Sequence, residues 1–248
     1  MIRRWALATI GLCAACAWPG GAAAEPVSFT HGTIDHRFTA QQPGAPTGSS
    51  FEGTYHAAND PGGDPPYMRR MTFHPPAGFR YDTSVPERCT ASDLQLQLEG
   101  AGACPEGSRL GGGEAYGKFM GEPSTLAVDV FNNEGEQVML IHTPLIRTVS
   151  RGRFGGGGSV TFESPTCYPA LVTCPADTAL QMGSSVSMPP YVRGGRAYTT
   201  TPPKCPKSGS WQSRVRFWWA DGMEDTVVTK HPCTRPAKQK KKSKRRGR

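Results

Sequence analysis

The sequence has no long apolar run, no long helical pattern and none of the common catalytic signatures. After the first two dozen residues, no stretch approaches the roughly 20 consecutive apolar residues that a membrane-spanning helix needs. The G-x-S-x-G, H-E-x-x-H and glycine–lysine phosphate-loop patterns are also missing. We therefore assign no catalytic residue, no metal ligand and no cofactor from the sequence, and we expect a soluble or peripherally held chain.

The first 24 residues have the pattern of a secretory signal peptide. Arg3 and Arg4 form a positive start, residues 5–18 are uncharged and mainly apolar, and residues 22–24 are three alanines. A positive start, a short apolar run and small residues at the cleavage site are typical of export signals. Lipoprotein-type processing at Cys16 is the alternative. We predict a secreted chain, extracellular or associated with the cell envelope.

Cysteine usage fits an oxidising compartment. Two of the 8 cysteines, Cys13 and Cys16, would leave with the signal peptide. The remaining six are Cys89, Cys104, Cys167, Cys174, Cys205 and Cys233. An even number in an exported chain indicates disulfides. Six cysteines allow about 15 pairings, among which the sequence alone cannot choose, and we favour sequential pairs that each bracket one loop or hairpin. A zinc site is the rival interpretation, but these cysteines form no C-x-x-C pair.

The basic residues are concentrated in the last fourteen positions. Residues 235–248 hold nine positive charges and no negative one: Arg235, Lys238, Lys240, Lys241, Lys242, Lys244, Arg245, Arg246 and Arg248. Such a block repels itself and is expected to be disordered. We predict that it binds polyanions, namely an anionic cell-wall polymer or a membrane surface.

The remainder of the chain has the composition of an all-β protein. The sequence has 30 glycines and 23 prolines, and these residues separate many short strand-like runs. This pattern favours an antiparallel β-sandwich, immunoglobulin-like or jelly-roll-like, with short helical pieces and disulfide-bracketed loops. We expect one β domain over residues 25–234, although two small domains remain possible at this stage.

Individual strands and loops can be assigned along that domain. Residues 27–39 read as one alternating strand, residues 41–66 as a long loose loop, and residues 67–74 as a strand. Residues 90–93 resemble a capping box before a short helix. Strands are then expected at residues 110–120, 126–131, 137–142, 147–154, 159–163 and 214–219, the last returning through residues 226–230.

The last of these strands carries the main candidate for a surface aromatic residue. Val215, Phe217 and Trp219 share one face, whereas Trp218 shares the other face with Arg214 and Arg216. A tryptophan exposed on a β face can stack on a sugar ring or a protein surface. Trp218 is therefore a possible contact for a glycan or protein ligand, unless both faces of the strand are buried.

Carboxylates and histidines could in principle support hydrolysis. A glycosidase needs two carboxylates across a cleft, and the candidates are Glu114, Asp129, Glu163, Asp221, Glu224 and Asp225. Their separations cannot be read from the sequence. His31 and His36 flank Asp35, but in an extended chain they would face opposite sides, which disfavours a shared metal ion.

Two short motifs resemble a known group. Residues 104–111, Cys-Pro-Glu-Gly-Ser-Arg-Leu-Gly, form a C-P-x-x-S-x-x-G pattern with Cys89 upstream, and residues 201–211 contain Thr-Pro-Pro-Lys-Cys-Pro before the last hairpin. Together they resemble uncharacterised secreted proteins of high-GC Gram-positive bacteria, over residues 70–234. The resemblance implies export, β structure and the sequential cysteine pairing, and it implies no activity.

Three functional hypotheses follow. The first is a non-enzymatic protein of the cell exterior or envelope, binding or structural, with a polycationic tail for anionic polymers. The second is a secreted hydrolase acting on envelope glycan or lipid. The third is an extracellular binder of polyanions or nucleic acid that works through the tail.

The cysteine pairing is directly testable. Peptide mapping without reduction is expected to give Cys89–Cys104, Cys167–Cys174 and Cys205–Cys233, because each pair closes a local loop and contributes about 2–4 kcal/mol. A peptide joining Cys89 to Cys233 would contradict this assignment.

Overall fold

The protein is described here by a computed structural model that covers residues 25–119, 121–143, 147–164 and 179–235. Antiparallel strands dominate, as the sequence predicts. In chain order the strands are β1 (Val27–Phe29), β2 (Gly32–Phe38), β3 (Ser49–Tyr55), β4 (Met68–His74), β5 (Arg80–Tyr81), β6 (Arg109–Phe119), β7 (Glu122–Asn133), β8 (Glu136–His142), β9 (Arg147–Phe154), β10 (Val160–Glu163), β11 (Ala179–Met188), β12 (Val192–Arg193), β13 (Arg196–Ala197), β14 (Thr199–Thr200), β15 (Ser210–Trp219) and β16 (Glu224–Pro232).

Twelve of these strands form one continuous sheet rather than two separate ones. Its order is β1-β2-β3-β11-β6-β7-β8-β9-β10-β4-β15-β16. Two small ribbons, β12 with β13 and β5 with β14, lie beside it. The sheet curls over so that its first and last strands meet, which gives a barrel-like or sandwich-like shape with an enclosed interior.

The two ends of the sheet are joined by side chains. The ring of Phe29 on β1 stacks on Phe217 of β15, with centroids 5.1 Å apart. In the turn between β1 and β2, Nδ1 of the fully buried His31 donates to Oδ2 of Asp225 on β16 at 2.6 Å. The indole nitrogen of Trp219 donates to the same oxygen at 2.9 Å. These contacts close the interior along the seam between the sheet ends.

One short α-helix, the only α-helix within the described residues, covers part of the outer face. Helix α1 (Asp93–Glu99) begins at Ser92, which forms a capping box with Gln95. The sequence placed this box two residues earlier, at Thr90. Leu96 is fully buried against the outer face of β7–β9, in a cluster with Val138, Leu140 and the Cys89–Cys104 disulfide. The strands beneath the helix are therefore buried on both faces.

Two disulfides lie within the described residues, and each one closes a loop between secondary-structure elements. The structure joins Cys89 to Cys104 and Cys205 to Cys233, with Cα separations of 4.8 and 5.6 Å. This is the pairing that the sequence predicts for these four residues. Cys167 and Cys174 lie outside the described residues, so their pairing stays a prediction.

The sequence prediction for residues 41–66 was wrong. This segment is not one loose loop, because β3 crosses the sheet at residues 49–55, paired to β2 on one side and to β11 on the other. Its serines and glycine hide the alternation, and the hydrogen bonds come from strands distant in sequence. Residues 27–39 are likewise two strands, because the chain turns at His31.

Strand β6 is rich in glycine because it lies very close to β11. A Cβ atom at Gly113 would overlap the carbonyl oxygen of Ser185, and one at Gly117 would overlap that of Leu180. Glycine in a strand interior often marks such a close approach or a sharp bend in a sheet. Here it permits the sheet to curl between β6 and β11.

Adding one methyl group at this contact is expected to destabilise the protein. Gly113→Ala should lower the free energy of unfolding by about 1–3 kcal/mol, because the strands must separate to make room. Gly102→Ala is the matched control, since a Cβ there meets nothing within 4 Å. Urea unfolding of both variants checks this, and equal stability would contradict the proposed close approach.

Candidate functional site

The candidate site is a cavity of about 150 Å³ inside the curled sheet. It lies between two clusters of the hydrophobic core. One cluster is built around Val215, Phe217 and Trp219, and the other around Val128, Val130 and Tyr198. The curled sheet encloses more space than the inward side chains fill.

The wall of the cavity is mainly apolar. The apolar lining residues are Phe51, Tyr55, Met68, Met71, Phe73, Tyr81, Ala115, Val128, Val130, Met139, Ile141, Val160, Phe162, Val186, Met188 and Val215. Four of them are methionines, whose unbranched side chains adapt to irregular shapes.

One end of the cavity reaches the surface. Glu163 at the end of β10 and Gln181 near the start of β11 belong to the lining and are exposed. The Glu163 side chain is 62% exposed and forms an ion pair with Arg70 at 2.7 Å.

Most polar side chains in the wall are bonded to other protein groups. Nε2 of Gln137 donates to the hydroxyl of Tyr198 at 3.0 Å, and Oγ of Ser150 donates to the carbonyl of Glu163 at 2.9 Å. A hydrogen bond links Ser184 to the Tyr55 hydroxyl, although burial still raises the pKa of Tyr55. These polar groups form part of the wall, and they already have hydrogen-bond partners within the protein.

His36 on β2 differs in having a buried nitrogen without such a bond. Its side chain lines the cavity and is 5% exposed, and Nδ1 has no hydrogen-bond partner among the residues that the structure describes. Its ring lies edge-on to Phe73 at 4.7 Å and to His231 at 4.9 Å. Burial, together with the nearby His231, lowers the pKa of His36 well below its usual value. At neutral pH the imidazole is therefore uncharged.

His231 on β16 is the buried neighbour of His36. Its Nε2 lies 2.8 Å from the Ser213 hydroxyl and 3.3 Å from the Thr229 hydroxyl. A serine bonded to a histidine is the start of a nucleophilic site. However, Ser213 is 1% exposed and His231 is 2% exposed. A substrate could not reach this pair, so we interpret it as a polar contact that stabilises the core.

The carboxylates proposed for hydrolysis are mostly paired with cations. Asp129 on the outer face contacts Arg109 and lies 3.0 Å from Nε2 of His142. Glu163 pairs with Arg70, and Glu224 with Arg216 at 2.9 Å. Glu114 is exposed on β6. In the described residues, no group of three or more His, Cys, Asp or Glu side chains is placed to hold a metal ion.

Asp221 and Asp225 belong to the seam instead of a cleft. Oδ2 of Asp225 accepts from His31 and Trp219, and Oδ2 of Asp221 lies 3.4 Å from Nε2 of His31. His31 is thus buried together with Asp225, whereas the Asp221 side chain is 37% exposed. The sequence placed His31 within a strand, whereas the structure places it in the turn that closes the seam.

Trp218 lies on the outer face, opposite the buried residues of β15. It is half-buried, and two guanidinium groups cover its ring: that of Arg216 at 4.8 Å from the centroid and that of Arg70 at 5.5 Å. Such cation–π contacts contribute about 0.5–1 kcal/mol each at exposed sites. A ligand that stacks on Trp218 would first have to displace an arginine.

Arg235, the first basic residue of the predicted tail, is the last residue that the structure describes. Arg235 is exposed and donates from Nη2 to the carbonyl of Pro206 at 3.0 Å. The other eight basic tail residues lie outside the described residues. Among the helices that are described, none has the length and apolar character needed to span a membrane.

The sequence predicts neither the cavity nor the buried position of His36. The signal was the alternation in β2, where Ile34 and His36 both occupy inward positions. A histidine in such a position is buried by the fold, but only the full sheet shows that space is left beside it.

These features define a class of structure, an antiparallel β protein with a curled sheet and an apolar interior cavity. No family model matches the sequence, and no curated protein matches it. Among solved structures, it is similar to the T6 backbone pilin of serotype M6 Streptococcus pyogenes, with a TM-score of 0.31 and 7% identity. The likeness covers 80% of this chain and 34% of the pilin chain, so this chain spans about a third of that protein. At this TM-score the likeness carries no inference about function.

Burial of His231 predicts that stability falls with acidification. Burial lowers the pKa of His231 to about 4, against about 6.5 in the unfolded chain. Between these values only the unfolded state binds the proton. The contribution of His231 to the free energy of unfolding is therefore fully present above about pH 6.5. It is lost as the pH falls to about 4 and changes no further below that value.

The variant His231→Gln isolates this effect. Between about pH 6.5 and 5, it should reduce the slope of unfolding free energy against pH by about 1.4 kcal/mol per unit. Urea unfolding at several pH values measures the slope, independently of any general loss of stability in the variant. An unchanged slope would show that His231 titrates normally.

Proposed function

We propose that this chain is a non-enzymatic exported protein, binding or structural, that its basic tail holds at the anionic polymers of the cell envelope. The observation that carries the proposal is the separation of charge between the tail and the folded body. Residues 235–248 hold nine basic residues and no acidic one.

The folded body has the opposite charge balance. Of the 28 basic residues, two lie in the predicted signal peptide and nine in the tail, so 17 remain in residues 25–234 against 20 acidic residues. The body therefore has a small negative net charge and would not bind a polyanion through its overall charge. Attraction to such a polymer is left to the tail.

The chain leaves the body at a fixed point. The Cys205–Cys233 disulfide ties the end of β16 to the segment before β15, and Thr234 donates its backbone N–H to Gln41 at 2.9 Å. The tail therefore starts two residues after a cross-link. This arrangement supports a role for the tail as a tether, because the force of attachment would act on a part of the chain that a disulfide holds in place.

Export is supported by the cysteines as well as by the signal sequence. The two disulfides of the structure are expected in an oxidising compartment and are rare in the cytosol. They are consistent with an extracellular or cell-surface location. The resemblance to secreted proteins of high-GC Gram-positive bacteria points to the same location.

Removing the tail charge should release the protein. A variant with the nine basic residues of 235–248 replaced by glutamine is expected to move from the cell-bound fraction into the medium, because the electrostatic attraction is lost. The matched control replaces the nine with a different order of lysine and arginine, which keeps charge and length. Immunoblots of the cell-bound and medium fractions measure the distribution.

Salt gives the second arm of the experiment. At about 1 M salt the screening length falls to about 3 Å, so the unmodified protein should also be released. Retention of the glutamine variant, or retention of the unmodified protein through the salt wash, would contradict electrostatic tethering.

A further inference from the structure

We propose that the interior cavity binds one unbranched alkyl chain of an amphiphilic molecule, whose polar end stays at the surface beside Glu163 and Gln181. The site belongs to the folded body and is independent of the tail function proposed above. Three properties of the cavity carry the inference: apolar surface that the protein leaves uncovered, an elongated outline and a wall that reaches the surface at one end.

Apolar side chains inside the curled sheet are only partly covered by the protein. Phe51, Phe73, Ile141 and Phe162 line the cavity and are half-buried, whereas Phe217 in the adjoining core cluster is fully buried. Removing apolar surface from water is favourable roughly in proportion to the area removed. An apolar occupant is therefore stabilised by the surface that it covers.

The cavity is long and narrow. Its lining follows β11 from Gln181 to Met188, about 23 Å at roughly 3.3 Å per residue, although its volume is only about 150 Å³. A second cavity of about 20 Å³ shares Tyr81 and Met188 with it. Methionines in the wall can shift to follow the outline of an occupant. A thin, unbranched chain fits such a space better than a compact ring or a branched group.

The polar groups of the wall do not require a polar occupant. Several polar lining residues already have hydrogen-bond partners within the protein: Gln137, Ser150, Ser164 and Ser184. The unbonded nitrogen of His36 has almost no accessible surface, so it offers no contact to a ligand. Ser49 is a half-buried residue, and the wall around it is mainly apolar. An alkyl chain needs no hydrogen bond from any of these groups.

The most exposed polar residues of the lining mark the place of the polar end. Glu163 and Gln181 are both exposed, and Glu163 pairs with Arg70 at 2.7 Å. A polar head group beside them keeps its contact with water, whereas burying it among apolar side chains would be unfavourable. Because the ion pair has no net charge, the site accepts a neutral head group.

A series of alcohols tests the requirement for an alkyl chain. From n-butanol to n-hexanol, the affinity of the full-length protein should rise about fourfold for each added methylene group, because each group is removed from water. The compact isomer pinacolyl alcohol should bind more weakly than n-hexanol, by more than the two differ in partition between water and octanol. Isothermal titration calorimetry measures the affinities.

A bulky head group tests the position of the polar end. Hexyl glucoside has the chain of n-hexanol and a sugar ring for which the cavity has no room beside the chain. If the head group stays outside, its affinity should lie within about twofold of that of n-hexanol. The variant with glutamine at the nine basic tail positions should bind both molecules as the unmodified protein does, which separates this site from the tail.

Two variants assign binding to the cavity. Ala115→Leu adds three carbon atoms to the wall and should weaken binding of n-hexanol by about tenfold or more, because less of the chain fits. Ala127→Leu is the matched control, because Ala127 is exposed on the neighbouring strand β7 and should leave binding unchanged. Val186→Phe fills the cavity from another lining position and gives the same test if Ala115→Leu fails to fold.

Four results would overturn the inference. The first is an affinity that does not change with the length of the alkyl chain. The second is pinacolyl alcohol binding as tightly as n-hexanol after correction for partition. The third is the absence of binding by hexyl glucoside. The fourth is n-hexanol binding that a folded cavity variant leaves unchanged, or that the glutamine variant of the tail abolishes.

Discussion

The closure of the sheet along its seam is the constraint on which the rest of the structure depends. A sheet of twelve strands leaves two unpaired ends, and an unpaired sheet edge is a site for aggregation. Here the ends meet through the contacts of His31 with Asp225 and of Phe29 with Phe217. Since these contacts are between side chains, closure depends on burying a histidine and a carboxylate together. The alternation of inward and outward residues then gives every strand of the sheet a common interior.

The cavity follows from this closure. A sheet that curls around on itself sets the width of the interior through its backbone, and the side chains then fill as much of it as they can. Where the clusters around Phe217 and around Val130 approach each other, they leave about 150 Å³ unfilled. The glycines of β6 make the packing tighter, because they allow β6 and β11 to approach closely at one bend. Tight and loose packing thus occur in one sheet, and the loose part is lined mainly by apolar side chains.

The sequence predicts much of the local structure but little of the arrangement around the cavity. Hairpins such as β7–β8 and β15–β16 are visible because their turns and alternating residues are adjacent in the chain. Strand β3 was missed, because its partners are β2 and the distant β11 and its residues are mainly serine, threonine and glycine. The same difficulty hides the cavity, whose wall draws on eleven strands. The contact of His36 with His231 joins positions 195 residues apart, and no local pattern records it.

The sequence by itself determined the antiparallel β class, the inward face of β15 and the concentration of basic charge after residue 234, and it favoured the sequential pairing that the structure shows for Cys89–Cys104 and Cys205–Cys233. Each of these depends on residue types and short spacings, which a reader can see in the chain. Only the tertiary structure decided how the strands are ordered, where the sheet closes, which histidines are buried and how much interior space remains. These depend on pairings between distant strands, and their energies come from burial and hydrogen bonds that exist only after the sheet has curled.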